Sequence, residues 1–295
     1  SLLPLNGVDL RNPVFHHLWL HQRLINSKAS FRRFNRITLI GVPAVILLWW
    51  FIERANLNFG EVQPDLSIRL VNLVLVLAIA FMFITSFYSI STVLGLFHRH
   101  FNRGYWEALR LTPQYDSTIL MSHDAIAQLR LWPFTILEVA LRSAFVIIFA
   151  LNIFYNLYLT STDKMAYFAQ SLLSLSFWLV WGALFIAFGF IIEPIIRARL
   201  IVALHMIIAI RVRYAPLTVL ASFLELLLIH GLQVILMVCI YAMISALARP
   251  EVGGVMATFC LVPLIMLAVI LFGMLYRSLR RFALSLAYKS AFRQD

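Results

Sequence analysis

Charge is scarce in this chain: Asp, Glu, Lys and Arg make up 13% of its 295 residues, against about 25% in an ordinary soluble domain. A water-soluble fold needs a charged exterior, so a soluble enzyme or binding domain is excluded on that count. Cysteine is nearly absent too. The two thiols, Cys239 and Cys260, both lie in apolar runs; they provide neither a disulfide framework nor a zinc set and read as small apolar fillers. No GxxxxGK[ST] occurs, so the chain has no P-loop for ATP. Nucleophile-elbow, HExxH and dinucleotide fingerprints are missing as well, which leaves no visible catalytic constellation and no metal site.

Apolar residues are what the chain has: AVILMFWYC account for 62%, and the mean hydropathy is +0.89. A bilayer core about 30 Å thick needs roughly 20 apolar residues of helix, with every backbone polar group bonded inside the segment. Six stretches meet that condition, at about 37–52, 70–97, 132–158, 165–192, 217–247 and 252–276. The first is short, contains Pro43, and ends in a Trp49-Trp50-Phe51 cluster suited to the headgroup boundary. Runs such as LVNLVLVLAIAFMF lack the period-two alternation of a barrel strand. The expected fold is all-α, a polytopic membrane protein with six transmembrane helices.

Residues 200–210 (LIVALHMIIAI) form an eleven-residue apolar run fenced by Arg197, Arg199, Arg211 and Arg213. Eleven residues of helix reach about 16 Å, half a bilayer, which fits an interfacial or re-entrant helix rather than a span. With six spans, segments 1–36, 98–131, 193–216 and 277–295 share one side and hold 19 of the 24 Lys and Arg residues. The positive-inside rule then places both termini in the cytoplasm of a multi-pass inner-membrane protein. The net charge of +11 is accordingly a topology signal that favours anionic lipid headgroups, with no nucleic acid implied. The first 36 residues hold no apolar core of a signal peptide.

The cytoplasmic pieces carry the individuality of the chain. In segment 1–36, Pro13 can open a helix whose Phe15, Leu18, Trp19 and Ile25 approximate one apolar face, as in an interfacial elbow helix. His17 and His21 have one-turn spacing but lack further ligands. In segment 98–131, Tyr105 to Leu111 forms a short helix that Pro113 cannot continue. A second helix starts from Ser117 or Ser122 and runs into the third span.

The string RGYWEALRLTPQYDSTI (103–119) resembles the cytoplasmic signature of permeases in the type-2 class of ATP-binding-cassette (ABC) exporters, approximately RGT-x-E-x-L-x-x-TP-L-S. The elbow helix, the six spans and the cytoplasmic termini resemble that family too. The resemblance implies that this segment is a coupling helix docked on a separate ATP-binding subunit, through Gly104, Trp106, Glu107, Leu109, Leu111, Thr112 and Pro113. ATP and magnesium would then sit on the partner, with no cofactor on this chain. A second permease copy or a homologue would complete the pathway. Tyr105, Arg110 and Gln114-Tyr115 depart from the family pattern, and they motivate an alternative: a structural or cofactor-binding subunit of a larger respiratory or photosynthetic complex.

Four polar residues inside the spans are intramembrane candidates. Glu138 and Arg142 stand four apart on the third span and can pair, with the acid on the favourable N-terminal side. They read either as a structural pair or as a substrate or gating contact. Glu225 and His230, in the fifth span, are about 140° apart on an ideal helix and do not form one site alone. Glu225 is a candidate to answer Arg142 across the bundle. His230 is either a cofactor or proton-relay histidine or one hydrogen-bonded to a neighbouring helix.

Overall fold

The computed structural model describes residues 28–57, 65–102, 116–160, 165–212, 214–247 and 254–292, together with Phe15 and Leu111. All six elements among these are helices: α1 (Lys28–Leu57), α2 (Asp65–Asn102), α3 (Asp116–Thr160), α4 (Met165–Arg211), α5 (Ala215–Leu247) and α6 (Gly254–Phe292). Three carry stretches long and apolar enough to cross a membrane, Ser30–Glu53, Arg69–Leu96 and Ser117–Asn152, and Pro216–Gly231 is a shorter apolar helix. The chain is an all-helical, membrane-embedded protein.

Side-chain contacts fix the direction in which each helix runs. Asn35 of α1 lies beside Trp132 of α3, and Trp50 beside Asn152, so these two helices are parallel. Arg142 of α3 reaches the carbonyl of Phe190 while Glu138 reaches Arg197, so α3 and α4 are antiparallel. Gly189 of α4 abuts Val269 of α6, and Arg211 bonds to Ser290, so α4 and α6 are parallel. On α5, Glu225 lies beside His205 and Gln233 bonds to Glu193, again antiparallel to α4. The helices thus alternate in direction, and the start of α1 and the end of α6 fall at the same end of the bundle.

That end contains the largest buried core. Ile119, Ile126 and Leu129 of α3 meet Val202 and Met206 of α4, Val93 and Leu96 of α2, and Phe31 of α1. Alanines at 283, 287 and 291, one per helical turn, give α6 a narrow face against this cluster. Farther along, Trp50, Leu70, Val74, Ala144 and Ile148 make a second cluster joining α1, α2 and α3. The outward faces are apolar as well, with Ile40, Val45, Val76, Leu227 and Leu228 exposed, a surface that suits lipid rather than water.

Two boundaries differ from the sequence expectation. No break follows residue 192: α4 continues to Arg211, so the expected separate interfacial segment is the last part of a 47-residue helix about 70 Å long. Leu200, Ile201, Val202, Ala203 and Met206 are buried in the bundle instead of lying along a membrane surface. Within the aromatic cluster Trp49 and Phe51 are exposed, whereas Trp50 is not. Its ring is buried, and its indole N–H donates to Asn152 Oδ1 at 3.2 Å. The helix expected from Ser117 or Ser122 begins at Asp116 and continues without interruption to Thr160. The elbow helix lies outside the described residues apart from Phe15, a buried helical residue.

The α4–α6 contact supplies a test of packing. A methyl group on Gly189 would stand 2.8 Å from Val269 Cγ1, closer than real contacts allow, and valine is stiff about its first side-chain torsion. Gly189→Ala is expected to destabilise the bundle by about 1–3 kcal/mol, whereas Gly95→Ala, with nothing within 4 Å, should be neutral or mildly stabilising. Thermal unfolding of the two detergent-solubilised variants checks the contrast.

Candidate functional site

Two copies of one local pattern build the most polar part of the interior. Glu138-x-x-x-Arg142 on α3 and Glu193-x-x-x-Arg197 on α4 each place an acid one turn before a base. Because the helices are antiparallel, the two pairs face each other with opposite polarity and close into a ring. Arg142 Nη2 bonds to Glu138 Oε1 at 2.7 Å, and Arg142 Nη1 lies 2.9 Å from Glu193 Oε2. Arg197 Nη2 bonds to Glu138 Oε1 at 2.5 Å, and Arg197 Nε lies 2.9 Å from Glu193 Oε1. Each guanidinium touches both carboxylates, so the charges sum to zero. Glu138 is fully buried and the Arg197 side chain is 1% exposed.

The proline beside Glu193 contributes directly. Pro194 has no N–H, so the carbonyl of Phe190 loses its helical partner. Arg142 Nη1 donates to that carbonyl at 2.9 Å, and the guanidinium also lies 4.6 Å from the centre of the Phe190 ring. A helix irregularity thereby becomes a binding group for a buried cation.

Uncharged side chains extend the ring to three more helices. Arg197 Nη1 donates to Ser86 Oγ of α2 at 3.1 Å. Gln233 of α5 donates through Nε2 to Glu193 Oε1 at 2.6 Å, with Tyr276 Oη of α6 3.0 Å from the same nitrogen. His230 Nδ1 is 2.9 Å from Gln233 Oε1, and its Nε2 is 3.1 Å from Ser86 Oγ. Among the described residues, side chains of five helices, α2 to α6, therefore meet in one hydrogen-bonded polar junction.

Of the sequence candidates, Glu138 and Arg142 pair as their spacing indicates. Glu225 does not answer Arg142, because Glu193 occupies that position; Glu225 is set instead against His205 of α4 at 3.7 Å. His230 is hydrogen-bonded to a neighbouring helix through one ring nitrogen and to its own helix through the other. Among the described residues no group of three or more His, Cys, Asp or Glu side chains could hold a metal ion. Gly104, Trp106, Glu107, Leu109, Thr112 and Pro113 lie outside the described residues; Leu111 is described, in a turn and 88% exposed.

Glu193, Arg197, His205, Ser86, Gln233 and Tyr276 were not anticipated as site residues. A signal for the first two was present, namely the repeated Glu-x-x-x-Arg spacing, hidden because 193–216 read as cytoplasmic. No local pattern marks Ser86 or Tyr276.

Removing one member of a buried charge set leaves its partner uncompensated, which costs about 3–5 kcal/mol. Glu138→Gln leaves Arg142 and Arg197 sharing Glu193 alone and is expected to destabilise by that order. In a double-mutant cycle, Glu138→Gln with Arg197→Gln should be less damaging than the sum of the single changes, by about 0.5–3 kcal/mol. Chemical or thermal unfolding in detergent measures the cycle, and strict additivity would contradict the ring.

Compared with protein-family models, with curated proteins and with solved structures, the chain matches none.

Proposed function

We propose that this chain is a permease subunit of an ABC-type transporter. In this reading six helices cross the cytoplasmic membrane, and a separate ATP-hydrolysing subunit docks at residues 104–113. The reading rests on the sequence resemblance at 103–119 and on one structural observation: both helices that flank this segment reach the buried polar junction. Ser86 belongs to α2, which ends at Asn102, and Glu138 belongs to α3, which begins at Asp116. A push on the intervening segment acts on both helices at once. From Asp116 to Glu138 α3 is continuous helix, about 33 Å long, so an axial displacement at its start reaches the ring.

The alternating direction of the six helices supports an even number of crossings with both ends of the bundle on one side, and the basic residues of 1–36 and 277–295 favour the cytoplasm for that side. The four charges of the ring satisfy one another in the arrangement described. Movement of α3 against α4 would separate them and create a transient polar surface between the helices, which is what a transport cycle requires. A second copy or a homologous permease completes the pathway in this reading, and the substrate is unidentified.

The subunit composition of the native complex tests the proposal. Purification in mild detergent followed by mass spectrometry is expected to recover a nucleotide-binding subunit. Glu107→Arg should lower its recovery about tenfold, equivalent to about 1.4 kcal/mol of docking energy, without changing the unfolding temperature of the membrane chain. A native complex with no nucleotide-hydrolysing member would overturn the proposal. A pigmented one would favour a scaffold role in a respiratory or photosynthetic assembly.

A further inference from the structure

A second polar group lies apart from the charge ring, in the seam where α2, α4 and α5 meet. Its members are His205 of α4, Glu225 and Ser222 of α5, and Ser89 of α2. The His205 side chain is 1% exposed, and its Nε2 points toward Glu225 Oε2 at 3.7 Å. That separation is within ion-pair range but too long for a hydrogen bond. Its Nδ1 is 3.2 Å from Ser89 Oγ. Both carboxylate oxygens of Glu225 and Oγ of Ser222 are buried with no hydrogen-bond partner, while His205 is also set against the backbone of Ser222 and Ser89. A buried carboxyl with neither oxygen bonded needs an explanation beyond packing.

The neighbours supply no compensating cation. Ile90, Ile201 and Leu226 pack as an apolar cluster joining the same three helices. On α4, Arg199 is six residues from His205 and interacts with Asp124 and Arg280, and Arg197, two turns away, is already matched by Glu138 and Glu193. On α5, His230 is five residues from Glu225 and engaged by Gln233 and Ser86. From α2 the groups that face the seam are Ser86 and Ser89, neither of which titrates near neutrality. Tyr276 of α6 is turned to Gln233, two turns beyond Glu225. A carboxylate here with a neutral imidazole would be an isolated buried anion, which is strongly disfavoured.

We propose that His205 and Glu225 form a binding site for a single proton, which keeps the α2–α4–α5 seam neutral and holds α5 against α4. The proton resides on the carboxyl or on the imidazole, and either form is electrically neutral as a pair. Loss of the proton leaves a net negative charge in an apolar seam, and separation of α5 is what lets water reach it. The shift in packing this implies is local to α5, which packs against α2, α4 and α6. This site stands independently of whether an ATPase docks at 104–113.

Infrared difference spectroscopy on the full chain in lipid nanodiscs, with pH as the variable, tests the site. The wild type is expected to show a protonated-carboxyl stretching band at neutral pH that disappears at alkaline pH, and Glu225→Gln should lack the band. In parallel, amide hydrogen exchange in α5 should rise at the pH where the band is lost, and become independent of pH in Glu225→Gln. His205→Gln is the second variant: it removes the alternative proton carrier, so the carboxyl band should grow. A carboxyl band absent from both the wild type and His205→Gln, or a band that survives in Glu225→Gln, overturns the proposal. So does a carboxylate signal that responds to added sodium chloride but not to pH, which would indicate a metal-cation site.

Discussion

Mutual neutralisation of four buried charges is the constraint that the rest of this bundle accommodates. Glu138, Arg142, Glu193 and Arg197 sit in an interior where any one of them alone would be expelled or neutralised. They persist because each arginine spans both carboxylates. That cross-bracing fixes the register of α3 against α4, since sliding either helix by one turn would leave a cation without an anion. The neutral side chains Ser86, Gln233 and Tyr276 extend the hydrogen bonding and carry the same register to α2, α5 and α6.

A ring of this kind is costly to open, because separating its members leaves buried charges uncompensated. In the proposed pump the pair α2 and α3 conveys force to it, because these helices border the segment that resembles a coupling helix. The α4–α5 seam is a separate contact with a different chemistry. There the unit of compensation is a proton, not an opposed residue, so the position of α5 responds to a solution variable that leaves the ring intact. The two junctions are neighbours on α2: Ser86 touches Arg197 and His230, and Ser89, three residues on, touches His205.

The remaining helix, α1, is held by different means. Two indole N–H groups, of Trp50 and Trp132, donate to asparagine oxygens on the facing helix, Asn152 and Asn35. Parallel neighbours joined by such polar rivets in an apolar setting gain modest but specific stability. Among the described residues α1 contributes no side chain to the charge ring, and it is tied to α3 through these two indole bonds.

Composition and run length by themselves determined that the chain is helical and membrane-embedded, since 62% apolar residues in long non-alternating stretches admit no other way of satisfying the backbone in lipid. Local spacing also determined the Glu138–Arg142 pair, because one helical turn brings those residues together whatever surrounds them. What surrounds them was decided only by the tertiary structure. Glu193 and Arg197 read as boundary residues until the continuation of α4 to Arg211 carried them inside, and Glu225, a candidate partner for Arg142, faces His205 instead, because partner choice across helices depends on rotation and register. Those quantities are set by the summed packing of six helices, such as the alanine face of α6 and the Gly189–Val269 approach, and no single stretch of sequence encodes them.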